Sequence, residues 1–131
     1  MVPQKERDIV QHPLVSVVDD DESVRESLPD LIREFGFPTR AFSSAEEFLA
    51  SDCLDQTQCL VLDVFMPGMT GPDLQRELEL RQKHIPIVFM TAKKNEAVCT
   101  QTTEQGAAEC LLKPFSDTSL LEAINAALRT R

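Results

Sequence analysis

Asp63 is the first residue with an obvious chemical use. The stretch Leu60 to Gly71 reads L-V-L-D-V-F-M-P-G-M-T-G, so three apolar residues run straight into a carboxylate and a turn rich in Pro and Gly follows. That pattern predicts a buried strand, Cys59 to Leu62, with an acid at its C-terminal tip. Taken alone, such an Asp more often caps the loop after it. A second apolar run, Leu14 to Val18, ends in Asp19-Asp20-Asp21-Glu22. Consecutive acids repel one another at short range in a desolvated cleft. They are either a solvated loop that favours the next helix N-terminus or a cation site. Two further runs, Ile87 to Met90 and Cys110 to Leu112, end in Thr91 and Lys113. If these tips meet, they bring together three carboxylates (Asp19, Asp20, Asp63), one hydroxyl and one ammonium. Such a set suits a hard cation with oxygen ligands, Mg²⁺ or Mn²⁺. Lys and Thr supply donors for phosphate oxygens. One carboxylate, already ionised near neutral pH, can attack a phosphoryl group without a general base.

The elements that must bring the tips together follow from periodicity. Val24, Leu28, Leu31, Ile32 and Phe35 lie on one face of a helix ended by Gly36, with a kink expected between Arg25 and Pro29. Pro38 to Phe42 is a second strand. Ser43 or Ser44 opens a short helix carrying Phe48 and Leu49, since Glu46 and Glu47 complete a capping box with either serine. Pro72 suits the first turn of a helix running to about Lys83. Asn95 to Gln105 is a helix with few apolar anchors, closed by Gly106, and it should be mobile. Asp117 is expected to cap a last helix with Leu120, Leu121, Ile124, Ala127 and Leu128 inward. Five alternating strand–helix units imply an α/β, doubly wound parallel sheet with helices on both faces. Right-handed crossovers place all the strand tips on one edge, the edge at which ligands bind in open α/β sheets.

Composition narrows the function. The chain has 131 residues, one domain's worth, with Met1 to Pro13 expected as a loose arm and residues 14–131 as the domain. Its formal charge of −9, from 13 basic and 22 acidic residues, disfavours direct binding to nucleic acid or anionic membrane. No apolar run is long enough to span a bilayer, and the polar start lacks the apolar region of a signal peptide, so a cytoplasmic protein is expected. Cys53, Cys59, Cys99 and Cys110 show no C-x-x-C spacing and there are only 2 histidines, so zinc is not expected and the thiols are read as free.

The motifs V-V-D-D, L-D-V-F-M-P-G-M-T-G, M-T-A and K-P-F, in this order, resemble those of the receiver domain of two-component response regulators, from about Leu14 to Leu128. S-S-A-E-E-F-L and D-T-S-L-L-E-A-I further resemble the branch of nitrogen-fixation-type transcriptional regulators. The resemblance implies a flavodoxin-like sheet of order 2-1-3-4-5 flanked by five helices. It implies that Asp63 accepts a phosphoryl group from a sensor histidine kinase. Mg²⁺ would be held by Asp20 directly, by Asp19 through a water, by Asp63 and by the Phe65 carbonyl. Thr91 and Lys113 would hold the phosphoryl oxygens, and the Lys113–Pro114 peptide bond would be cis. It further implies a homodimer through the fourth helix, fifth strand and fifth helix, and a self-catalysed switch that dephosphorylates slowly rather than an enzyme that turns over. Related regulators often carry a DNA-binding output domain after the receiver.

Three positions depart from the family pattern. Cys110 stands where a Tyr or Phe often swings inward, so room is expected beside it and the switch should be weakly biased. Pro29 interrupts a helix the family keeps regular. Phe65 places an apolar side chain at the rim. Two other readings are weaker. A haloacid-dehalogenase-type phosphatase also uses an Asp nucleophile but wants a second Asp where Phe65 stands. A degenerate receiver would have lost the acidic pair or the acceptor, and both are present.

Overall fold

A computed structural model describes residues 13–129 of the protein. The loose arm expected over the first thirteen residues therefore lies, but for Pro13, outside the described residues, as do positions 130 and 131. Five strands alternate with five α-helices: β1 (Leu14–Val18), α1 (Glu22–Glu34), β2 (Thr39–Phe42), α2 (Ala45–Ala50), β3 (Thr57–Asp63), α3 (Gly71–Leu80), β4 (Ile87–Ala92), α4 (Glu96–Glu104), β5 (Glu109–Lys113) and α5 (Asp117–Arg129). A single 3₁₀ turn, Lys93–Asn95, joins β4 to α4. The strands form one sheet of order β2-β1-β3-β4-β5, and every pairing is parallel. This is the doubly wound, flavodoxin-like architecture expected from the alternation.

Parallel strands buried on both faces send alternate residues to opposite layers. Leu60 and Leu62 of β3 join Phe48, Leu74 and Leu78 in the layer under α2 and α3. Cys59 and Val61 join Leu28, Ile32, Leu120 and Ile124 in the layer under α1 and α5. Ser16 is a polar residue wholly buried in β1. Its hydroxyl is 2.7 Å from Thr57 Oγ1, which donates to the Cys53 carbonyl at 2.8 Å, so neither of these buried hydroxyls is left unpaired.

Several boundaries differ from expectation for identifiable reasons. β3 begins at Thr57, two residues before Cys59, because Thr57 pairs with Leu14 across a register shift that leaves Gln58 unpaired. Of the two candidate serines, Ser44 opens α2, accepting from Glu47 N at 3.0 Å. The Glu47 carboxylate reaches past the box to Ser43 N at 2.8 Å. α1 continues through the buried Pro29 without a break. Asp117 is the first helical residue of α5, not its cap. The Ser116 hydroxyl takes that role, accepting from Ser119 N at 3.0 Å, while Asp117 sits where a negative charge favours the helix dipole. α3 stops at Leu80 rather than near Lys83. Its end is a Schellman motif, with Lys83 N bonded to Leu78 O and Gln82 N to Glu79 O. α1 and α4 close the same way on Gly36 and Gly106, as their sequences predict. In α3 the left-handed residue is Gln82, at φ 59°, which carries no sequence signal for a stop.

The cysteines give the clearest correction. Cys53 and Cys59 are free and buried, but Cys99 and Cys110 form a disulfide with Cα atoms 5.4 Å apart. The expectation of four free thiols rested on spacing along the chain, whereas α4 lies against β5 and brings two residues 11 apart into bonding distance. The room expected beside Cys110 is occupied by the bonded sulfur of Cys99.

Candidate functional site

The tips of β1, β3, β4 and β5 open on one edge of the sheet, as parallel pairing requires. Carboxylate oxygens of Asp19, Asp20 and Asp63 lie within 4.8 Å of one another. Asp19 is fully buried. Its Oδ1 accepts from Asp21 N at 2.9 Å and its Oδ2 from Lys113 Nζ at 3.2 Å. Asp20, one residue on, is exposed. Lys113 Nζ also approaches Asp63 Oδ1, at 3.9 Å, so the ammonium sits between two carboxylates and closer to Asp19. The peptide bond from Lys113 to Pro114 is cis.

The Asp63 carboxylate pays for its position in protonation energy. Burial raises its pKa from 3.8 to about 6, and the neighbouring charges of Asp19 and Asp20 push the same way. Lys113 and a hydrogen bond from the Phe65 backbone N–H oppose the rise without cancelling it. Two close carboxylates and a desolvated third, with one ammonium among them, leave excess negative charge. No His or Cys belongs to the group. This all-oxygen donor set fits a hard divalent cation.

Asp63, Phe65, Thr91, Ala92, Lys94, Asn95 and Lys113 line an open cavity of about 480 Å³ beside the carboxylates. Thr91 is buried at the end of β4, and its Oγ1 accepts from Asn95 Nδ2 at 3.1 Å. Phe65 is 53% exposed at the rim. All the positions selected in the sequence, Asp19, Asp20, Asp63, Phe65, Thr91 and Lys113, therefore meet at this edge.

Other residues position the site and carried no strand-tip signal. Arg25 Nη1 of α1 donates to the Asp19 carbonyl at 3.0 Å, fixing the acidic turn. Asn95 precedes α4 but its side chain makes no capping bond to that helix; its amide is engaged by Thr91 instead. Glu46 of α2 accepts from Met69 N at 3.3 Å, holding the loop after β3. That loop returns tightly: Gly71 N donates to Val64 O at 2.9 Å. A Cβ at position 71 would lie 2.5 Å from the Asp63 carbonyl oxygen and 2.8 Å from the Phe89 ring. Only glycine permits the loop to close this near the Asp63 backbone. Thr70 and Asp73 then form a reciprocal capping box that starts α3, and its hydrogen bonds hold the Asp73 carboxyl below the usual range.

Comparison with known proteins agrees with this geometry. Residues 15–125 match the family described as the response regulator receiver domain. Nodulation protein W of Bradyrhizobium diazoefficiens is 46% identical over 114 residues, which are 87% of this chain and 50% of that protein. Transcriptional regulatory protein FixJ of Azorhizobium caulinodans is 37% identical over 114 residues, covering 87% of this chain and 54% of that one. Among solved structures, FixJ-N superposes with a TM-score of 0.84 at 34% identity, over 92% of this chain and 97% of that chain. The response regulator StyR gives 0.82 at 44% identity, over 91% and 60% respectively. The chain spans about half the length of the curated relatives it matches.

Proposed function

The chain belongs to the response regulator receiver domain family, and we propose that it accepts one phosphoryl group on Asp63 from the phosphohistidine of a sensor histidine kinase. The observation that carries this reading is the placement of Asp63: a carboxylate 3.9 Å from Lys113 Nζ and grouped with Asp19 and Asp20. Asp19, Asp20, Asp63 and the Phe65 carbonyl would hold Mg²⁺ or Mn²⁺, which when bound neutralises charge on the phosphoryl oxygens. An Asp63 oxygen forms the bond to phosphorus as the bond from phosphorus to the donor imidazole breaks, and the leaving imidazole takes a proton. Lys113 balances charge on one phosphoryl oxygen, and the Thr91 hydroxyl turns from Asn95 to donate to another.

A single uptake, rather than turnover, follows from the site's makeup. The exposed Phe65 has no group with which to orient a hydrolytic water, so loss of the phosphoryl group is slow. When Thr91 turns, Asn95 loses its partner and the turn into α4 is released, and the surface of α4, β5 and α5 changes its fit for a second copy of the chain. The acidic surface makes this chain a partner of proteins rather than of nucleic acid, and any effect on transcription would pass through an output segment. Such a kinase partner places the receiver in the cytoplasm; no helix among the described residues is long and apolar enough to cross a membrane.

Intact-mass measurement after incubation with acetyl phosphate tests the reading. One added phosphoryl group is expected with Mg²⁺, none with a chelator and none in Asp63→Asn. Equal uptake by Asp63→Asn would overturn it.

A further inference from the structure

α4 is held to the sheet by few side chains, among them the partly buried Val98. Of its nine residues only Cys99 and Thr102 are buried. The hydroxyls of Thr102 and Thr103 do not reach the sheet; both donate to the Cys99 carbonyl of the same helix, at 2.9 and 3.1 Å. Just before the helix Asn95 is bonded to Thr91 of the candidate site. In its middle the Cys99–Cys110 disulfide joins α4 to β5. The helix is thus tied at its start to the site and at its centre, covalently, to the strand beside it.

Disulfides that form in a reducing cytoplasm are commonly transient or redox-sensing. We propose that Cys99 and Cys110 are a reversible redox modification site, and that their oxidation fixes α4 against β5 so that events at Asp63 no longer move it. The reducing compartment and the consequence for α4 rest on the function proposed above; the thiol exchange itself does not. With glutathione disulfide as the oxidant, one cysteine thiolate attacks an oxidant sulfur and releases one glutathione thiolate. The second cysteine thiolate then displaces the other glutathione from the mixed disulfide. The pair loses two electrons and two protons, and the oxidant leaves as two thiols. Excess thiol runs the same steps backwards. The half-buried Cys110 offers a route of attack. Cys59 does not compete: it is wholly buried, and burial pushes its thiol up to about 12.

The test uses the full chain in two buffers, one rich in glutathione disulfide and one rich in reduced glutathione. No Lys or Arg lies between positions 95 and 112, so trypsin would leave both cysteines in one peptide; cleavage after Glu104 and Glu109 separates them. The oxidised protein should be lighter by two hydrogen atoms and yield the 99 and 110 peptides joined, and the reducing buffer should return both. Amide exchange across residues 93–106 is then followed with and without beryllofluoride and Mg²⁺. The mimic should change exchange in the dithiol form and lose that effect in the disulfide form. Cys99→Ser should respond in both buffers.

Failure of the joined peptide to form under oxidant, or its persistence in excess reduced glutathione, would overturn the redox site. Equal responses to the mimic in both forms of the wild type would overturn the restraint on α4. No response in either form, with no phosphoryl uptake by mass, would instead overturn the proposed function, while the joined peptide still decides the redox site.

Discussion

Replacing Asp63 by Asn should make the metal-free protein more stable at neutral pH. In the folded state the Asp63 carboxyl titrates at about 6 rather than 3.8. The folded protein therefore binds that proton more tightly than the unfolded chain does. This contribution to stability is fully present below pH 3.8 and is lost as pH rises through about 6. The difference corresponds to about 3 kcal/mol at the far end of the window. The side chain is 13% exposed, and solvent reaching it, together with the loss of its attraction to Lys113 in the variant, reduces the expected gain to about 2 kcal/mol. For a domain of this size that is a rise in Tm of about 7 °C. Thermal melts in a chelating buffer, at steps from pH 4 to pH 8, provide the assay. The variant should melt above wild type at pH 7.5, with the gap closing towards pH 4. A variant that melts at or below wild type at pH 7.5, or a gap unchanged by acid, would refute the idea that Asp63 is held ionised against its surroundings.

Three further outcomes follow from the geometry. Gly71→Ala should lose about 1–3 kcal/mol of stability in a urea melt, because its Cβ meets backbone and a ring with no flexible atom to yield; an unchanged midpoint would show that the loop has another conformation. In metal-free buffer Asp20→Asn should melt above wild type, and it should gain less from Mg²⁺ than the wild type, for which about 2.7 kcal/mol is expected at a hundredfold excess over Kd. An identical Mg²⁺ response would remove Asp20 from the ligand set. Reducing the Cys99–Cys110 bond, which closes a loop between residues 11 apart, should lower the Tm by about 10 °C if the chain-entropy estimate of about 3 kcal/mol holds; a Tm unmoved by reductant would mean that the unfolded state is not constrained by the bond.

Much of the site was legible because chemistry sat at the ends of apolar runs. Once Leu14–Val18, Cys59–Leu62, Ile87–Met90 and Cys110–Leu112 are read as parallel strands of one sheet, their shared direction gathers Asp19, Asp20, Asp63, Thr91 and Lys113 at one edge. What stayed hidden depends on contacts between elements rather than on spacing within one. Arg25 reaching the Asp19 carbonyl and Glu46 holding the loop at Met69 are ordinary surface charges until the helices are placed. Asn95 reads only as the first residue of a helix, yet its side chain is engaged by Thr91. The disulfide is the extreme case, since α4 and β5 bring Cys99 and Cys110 together with no motif to announce it. Gln82 shows the local limit, taking a left-handed turn residue's place without being Gly or Asn.

Borohydride trapping tests the central claim most directly. It reduces an aspartyl phosphate to homoserine, so the modified residue can be read from peptide sequence after exposure to acetyl phosphate and Mg²⁺. Homoserine at position 63 alone is expected. Homoserine at position 19 or 20, or a phosphoryl group that survives borohydride on Thr91, would contradict the assignment of Asp63 as the acceptor.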